Sequence, residues 1–145
     1  MTRSRVRPTS IFPVLLIMFA AACGGSSDEG PAGPGEGNNQ TASAVASPVG
    51  ATIARGGTTT VTVVFSATGG LTISQININR QFPGISVTQT SSQTVGTTIT
   101  RVFTIGADNT VPVGTHDVRF SPSVSGNAGP LPPQITNATF TLTVQ

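Results

Sequence analysis

TTTVTVVFSA, the stretch from Thr58 to Ala67, carries the plainest structural pattern in the chain. Val61, Val63 and Phe65 recur at every second position, and polar or β-branched residues fill the positions between them. Period-two alternation places apolar side chains on one face of a β-strand, and β-branched residues favour strands. The stretch therefore predicts a strand with one buried face.

Similar alternation recurs on both sides of this strand, in short segments separated by turns that contain glycine or proline. About seven such strands in ~100 residues are typical of two antiparallel sheets packed face to face. The sequence thus predicts an all-β fold, a two-sheet antiparallel β-sandwich over residues 47–145. Phe140, in the last alternating segment, is expected in its core.

The apolar residues between 71 and 79 change parity within one predicted strand. Leu71 and Ile73 share one parity, whereas Ile76 and Ile78 share the other. A one-residue bulge near Ser74-Gln75 would turn all four side chains inward. We therefore predict a bulge at this point.

Two further positions carry local predictions. Phe82-Pro83-Gly84-Ile85 places proline and glycine at the two central positions of a turn, which predicts type II geometry with a positive φ at Gly84. Arg101 has the parity of the apolar residues around it. Either its stem lies at the sheet edge with the head in water, or a bulge turns it outward.

The first 22 residues have the three zones of a secretory signal. Arginines at positions 3, 5 and 7 precede the apolar block Ile11–Phe19, and three alanines follow at positions 20–22. Positive, apolar and small-residue zones in this order indicate a cleaved leader. The alternative, a transmembrane anchor, is disfavoured because a stable span needs ~20 apolar residues.

Cys23, the sole cysteine, directly follows the alanines. This arrangement resembles the lipobox of bacterial lipoproteins, although Ala20 stands where that family usually has leucine. The resemblance implies cleavage between Ala22 and Cys23, and acylation of Cys23 that anchors the chain to a membrane. Position 24 is glycine rather than the aspartate of an inner-membrane retention signal. Sorting to the outer membrane is therefore expected in a cell that has an outer membrane. The alternative is an ordinary secreted protein with a free thiol.

Residues 23–46 are rich in glycine, serine, proline and acidic residues. Such a composition buries too little apolar surface to offset the entropy of ordering. The predicted organisation is therefore a signal peptide at 1–22, a flexible linker at 23–46 and a folded domain at 47–145.

Four segments of the folded part resemble bacterial immunoglobulin-like or fibronectin-III-like surface modules. They are Ala54–Val63, Phe82–Val87, Pro112–Val118 and Ala138–Val144. The resemblance implies a fold rather than an activity. In such modules a tyrosine commonly occupies the place of His116 and ties down a corner through its hydroxyl.

The mature composition argues against several functional classes. Four arginines stand against five acidic residues after the leader, a net charge of −1, and the chain lacks lysine. With neither a basic patch nor stacking aromatics, nucleic-acid binding is not expected. The absence of tryptophan and tyrosine argues against a sugar-stacking platform, so the threonine rows at 58–62 and 139–143 are interpreted as ordinary solvent-facing positions.

The sequence also predicts no catalytic, cofactor or metal site. His116 is the sole histidine, and its neighbour Asp117 is expected on the opposite strand face. Asp108-Asn109 offers one carboxylate, whereas calcium requires six to eight oxygens. A hydrolase is therefore disfavoured.

We expect a non-enzymatic, lipid-anchored cell-envelope protein that presents its sandwich for binding or structural spacing. Its partners would be the membrane, through Cys23, and a protein or glycan ligand. Two alternatives remain open. One is a subunit of a surface assembly built by strand addition at the C-terminal strand, Thr136–Gln145. The other is a carbohydrate-binding or adhesin module.

Overall fold

The computed structural model describes residues 40–126 and 131–145, and the regular secondary structure of these residues consists of β-strands. The predicted signal peptide at 1–22, Cys23 and the linker up to residue 39 lie outside the described residues. The described strands are β1 Thr41–Ser47, β2 Gly50–Ile53, β3 Thr58–Ala67, β4 Thr72–Arg80, β5 Ile85–Val95, β6 Thr98–Ala107, β7 Gly114–Ser125, β8 Gln134–Thr136 and β9 Ala138–Val144.

The strands form two sheets that pack against each other, which confirms the predicted β-sandwich. One sheet has the order β5-β6-β3-β1-β8 and the other the order β2-β9-β7-β4. Both sheets are mixed rather than purely antiparallel, because β8 runs parallel to β1 and β2 runs parallel to β9.

The first strand occupies residues that were predicted to belong to the linker. Thr41–Ser47 form β1, so the prediction that the linker extends to residue 46 is wrong for residues 41–46. Every second residue of β1 is a buried alanine: Ala42, Ala44 and Ala46. These alanines pair with core-facing residues of the neighbouring strand β3. Alanine is depleted in strands, so the alternation carries a weak strand signal in the sequence. The small methyl groups nevertheless fill the space beside large neighbours such as Phe65.

The C-terminal strand is an interior strand of its sheet. β9 pairs with β2 on one side and with β7 on the other. Strand addition requires an edge with unpaired backbone groups. The structure therefore contradicts the idea that the C-terminal strand offers such an edge.

The core consists of the inward faces of the central strands. Val61, Val63 and Phe65 are each at most 1% exposed, as the alternation predicts. Across the interface, the rings of Phe103 and Phe120 lie 4.9 Å apart between centroids and are tilted by 36°. This offset contact joins β6 to β7 and hence one sheet to the other.

The predicted bulge in β4 is present. The register against β7 shifts between Ile73 and Gln75. Leu71 is buried, and Ile73 and Ile76 pack against the core, whereas Ile78 is 37% exposed. Ile78 lies opposite the buried Phe120, so its exposure follows from its place on an edge strand rather than from its face.

The turn at Phe82–Ile85 is present, but its predicted type is wrong. The Ile85 N–H donates to the Phe82 carbonyl over 3.1 Å, which closes the turn. Gly84 is not among the glycines with positive φ, whereas a type II turn requires a positive φ there. A different constraint requires glycine, since a Cβ at position 84 would lie 2.5 Å from Oδ1 of Asp108.

Arg101 lies on the core-facing side of β6. The ladder between β3 and β6 is regular from Thr58 to Ser66, and Arg101 lies directly opposite the buried Val63. This regularity rules out the bulge in β6 that would have turned the side chain outward. β6 is also an inner strand, so Arg101 does not lie at a sheet edge. The side chain is partly exposed, but its Nε atom is buried with no hydrogen-bond partner.

We predict that Phe140→Ala lowers the free energy of unfolding by ~3–5 kcal/mol, because Phe140 is fully buried and its truncation leaves a cavity. Urea denaturation measures this change. Thr139→Ala, at the exposed neighbouring position, is the control and should change stability by less than about 1 kcal/mol. Equal effects of the two substitutions would contradict the assignment of the faces of β9.

Candidate functional site

Three connections and the C-terminal residue meet at one end of the sandwich, here called the distal end. The connections are residues 54–57, 81–84 and 108–113. The Gly56 N–H donates to the Ala107 carbonyl over 2.7 Å, and the Asp108 N–H donates to the Gly84 carbonyl over 3.1 Å. The Arg55 N–H donates to the carbonyl of the C-terminal Gln145 over 3.1 Å. Backbone hydrogen bonds thus hold these loops together.

The described chain begins at the opposite end, here called the proximal end. The Gln40 side chain donates to the Gly69 carbonyl over 2.9 Å, and the hydroxyls of Thr41 and Thr68 lie 2.7 Å apart. Strand β3 starts beside the distal connections and finishes just before Thr68. The N-terminal entry and the distal loops therefore lie at the two ends of the same strand.

An open cleft of about 450 Å3 lies at the distal end. Its lining includes Gly56, Gly57, Gly84 and Gly106, together with polar groups from Arg80, Ser86, Asp108 and Asn109. Close approach explains two of the glycines, because a Cβ at Gly106 would lie 2.8 Å from Oγ of Ser86 and one at Gly84 would meet Asp108. The lining thus combines glycine backbone and small polar groups with Pro83, Ile85 and Ala107.

Asp108 and Arg80 are the charged groups in the lining. Oδ1 of Asp108 accepts hydrogen bonds from the Thr110 hydroxyl over 2.6 Å and from the Thr110 N–H over 2.8 Å. These bonds, the hydroxyl first, lower the pKa of Asp108 below its ordinary value of 3.8. Arg80 donates from Nη1 to the Ile85 carbonyl over 3.1 Å. Both ionic side chains therefore brace the loops that form the cleft.

His116 ties the β6–β7 connection to the sandwich. Its ring is 9% exposed, and Nε2 lies 2.8 Å from the Pro112 carbonyl four residues upstream. Since a carbonyl only accepts, Nε2 carries the proton. The Phe82 ring packs beside it with the centroids 5.9 Å apart. The imidazole thus links β7 to the backbone of the connection that precedes it.

Asp117 points away from His116, as alternation along β7 requires. Its carboxylate accepts a hydrogen bond from the Thr141 hydroxyl over 3.1 Å, and its backbone N–H donates to Oε1 of Gln81 over 2.8 Å. The structure thus separates His116 from the nearest carboxylate in the sequence. Across residues 40–126 and 131–145, no three His, Cys, Asp or Glu side chains cluster as metal ligands would.

The two threonine rows lie on opposite outer faces of the sandwich. The row at 58–62 belongs to the sheet of β3, whereas the row at 139–143 belongs to the sheet of β9. The second row borders a shallow depression together with β2. The two rows therefore do not share a surface.

The remaining sequence-predicted site residues, Ala22 and Cys23, lie outside the described residues. In the described part of the chain, no helix is long and apolar enough to cross a membrane. Sequence reasoning singled out Asp108 and His116 but missed the cleft itself. The cleft takes glycine backbone from the connections 54–57 and 81–84 and from the end of β6, and side chains from the connection 108–113. The meeting of these segments depends on the sheet topology.

Comparison with known proteins gives no relative on which to base a function. No family model matches the chain, and no curated protein matches it.

We predict that His116→Phe lowers the free energy of unfolding by about 1 kcal/mol, because the ring keeps its packing but the bond to Pro112 is lost. His116→Gln is the matched variant, since the amide nitrogen of glutamine donates from about the position of Nε2. Urea unfolding of both variants measures the difference. A His116→Phe variant as stable as the unaltered protein would show that the hydrogen bond contributes nothing.

We predict that Thr110→Val raises the pKa of Asp108 toward 3.8, because the hydroxyl is the largest cause of its lowering. Carbon-detected NMR titration of the carboxyl measures the change. With a lowered folded pKa, the ionised carboxylate stabilises the fold above the unfolded pKa. That contribution disappears as the pH falls through the folded pKa. Thr115→Val, on an exposed strand position, should leave the titration of Asp108 unchanged.

Proposed function

We propose that this chain is a non-enzymatic cell-envelope protein that a lipid on Cys23 anchors to a membrane. The order of basic start, apolar block, small residues and cysteine at residues 1–23 supports the proposal. Each buried methylene contributes ~0.8 kcal/mol to membrane binding, so several acyl chains on one cysteine suffice for stable anchoring.

The chain enters the domain at the end opposite the cleft. Residue 40 enters the sandwich at the proximal end, and the cleft opens at the distal end. About sixteen residues separate Cys23 from Gln40, a reach of at most about 55 Å when fully extended. An anchor at Cys23 is therefore connected to the domain through its proximal end, opposite the cleft.

The chemistry of the distal cleft suggests which kind of ligand the domain binds. The exposed Ser86 hydroxyl and Asn109 amide in the lining favour a ligand recognised through hydrogen bonds. A protein loop or a glycan supplies such groups. Anchoring raises the effective concentration of the cleft for any ligand at the envelope surface.

We expect Cys23→Ser to move the protein from the detergent phase to the aqueous phase in Triton X-114 partition, because the acylated sulfur is lost. Ser26→Ala, three residues downstream, is the control and should stay in the detergent phase. Mass spectrometry of the mature amino terminus should give an acylated Cys23 as the first residue. Partition of the unaltered protein into the aqueous phase would refute the anchor.

A further inference from the structure

The outermost strand β5 leaves one backbone edge open. β5 pairs with β6 on one side, and within residues 40–126 and 131–145 no strand pairs with its other side. Every side chain from Thr88 to Val95 is exposed, so this half of the strand extends beyond the cover of the second sheet. The open edge therefore lies on an accessible part of the molecule.

The open edge lacks the residues that usually protect such strands. Natural edges commonly carry charged side chains, especially lysine, or proline, and neither occurs between Ile85 and Val95. One protective device is present, a register shift between Gln89 and Ser91. The Thr90 hydroxyl donates to the Val102 carbonyl over 3.1 Å at this shift. The regular open edge is thus confined to the residues after Thr90.

The hairpin geometry identifies which backbone groups point outward. Val95 lies opposite Thr98 across a two-residue turn, and Gly96 has a φ of 58° at the first turn position. In such a hairpin the closing pair exchanges hydrogen bonds, and the next pair does not. By this alternation, Ser92 and Thr94 direct their N–H and C=O groups away from β6. Two residues with one intervening position form a short recognition edge.

We propose that β5 of a second copy of this chain pairs antiparallel with this edge, on a two-fold axis that passes through Gln93. Ser92 of each copy then lies opposite Thr94 of the other, and the two pairs form four backbone hydrogen bonds. The two five-stranded sheets become one continuous sheet. Gln93 meets its own counterpart in the non-hydrogen-bonded position on the axis.

The side chains favour a second copy as the occupant. A two-fold contact places identical residues close together, so a charged edge would repel itself. Ser91, Ser92, Gln93 and Thr94 are all neutral, and the Gln93 amide both donates and accepts hydrogen bonds. The edge is therefore self-complementary in charge and in hydrogen bonding.

Antiparallel pairing points the proximal ends of the two copies in opposite directions. The ten residues of β3 give the sandwich a length of about 33 Å. Residues 24–39 reach up to about 55 Å, so two copies anchored at Cys23 fit on one membrane. The edge itself does not depend on the anchor, so failure of the anchor leaves this proposal intact.

Cysteine cross-linking in the full-length protein tests the contact. Opposite residues in a non-hydrogen-bonded pair have Cα atoms about 4.5 Å apart, within the range that a disulfide spans. Under mild oxidation, Gln93→Cys should give at least five-fold more disulfide-linked homodimer than Thr139→Cys, an exposed strand position on the other sheet. The chain without an added cysteine shows how much disulfide-linked homodimer forms through Cys23 alone.

A second substitution tests the backbone bonds. Ser92→Pro removes an N–H that points away from β6, a position where edge strands tolerate proline. Added to Gln93→Cys, it should lower the homodimer fraction at least five-fold while circular dichroism stays unchanged. Thr94→Pro is the replacement if the first variant does not fold. The proposal would be overturned if Gln93→Cys gave no more homodimer than Thr139→Cys, or if a folded proline variant left the homodimer fraction unchanged. Cross-linking to a different polypeptide would overturn it as well.

Discussion

The burial of one face of β3 is the constraint on which the rest of the structure depends. β3 lies between β6 and β1, and its alternate side chains Val61, Val63 and Phe65 are sealed from solvent. Because side chains alternate with a period of two, fixing this face fixes the face of every strand in register with it. Arg101 illustrates the strength of the constraint. It stays on the core-facing side opposite Val63, although its Nε atom finds no hydrogen-bond partner there.

The same constraint determines where functional chemistry can lie. The inward positions of both sheets are mostly occupied by apolar side chains packed in the core. The described charged groups other than Arg101 lie in loops, on edge strands or on the outer face of the sheet that contains β7. At the distal end the loops are joined by backbone hydrogen bonds, with Asp108 and Arg80 as braces. A site made in this way combines loop backbone with polar side chains whose hydrogen bonds are mostly made within the loops.

The sequence predicted those features that depend on local alternation. The strand faces, the bulge near Ser74-Gln75 and the buried Phe140 follow from residue parity, and the structure confirms them. Predictions failed where the cause lies far away in the chain. Alternating alanines are a weak strand signal in the sequence. β1 forms because these alanines pack beside large residues of β3 such as Phe65, a contact that the local sequence does not reveal. Gly84 is required by the approach of Asp108, 24 positions later, and a local turn rule attributed it to a positive φ. The cleft was equally beyond prediction, since sheet topology brings its three connections together.

The two exposed features of the domain are spatially independent. The distal cleft involves the start of β5 at Ile85 and Ser86, whereas the open edge lies near its end, at residues 91–95. At about 3.3 Å per residue, the six residue steps from Ser86 to Ser92 separate the cleft from the open edge by about 20 Å. Pairing through the edge therefore leaves the cleft open. Since the pairing is antiparallel, the two clefts of a dimer face opposite directions. If the cleft binds a ligand as proposed, such a dimer would engage two separate ligands rather than one shared ligand. A gain in avidity would then require that both ligands lie on the same surface or scaffold.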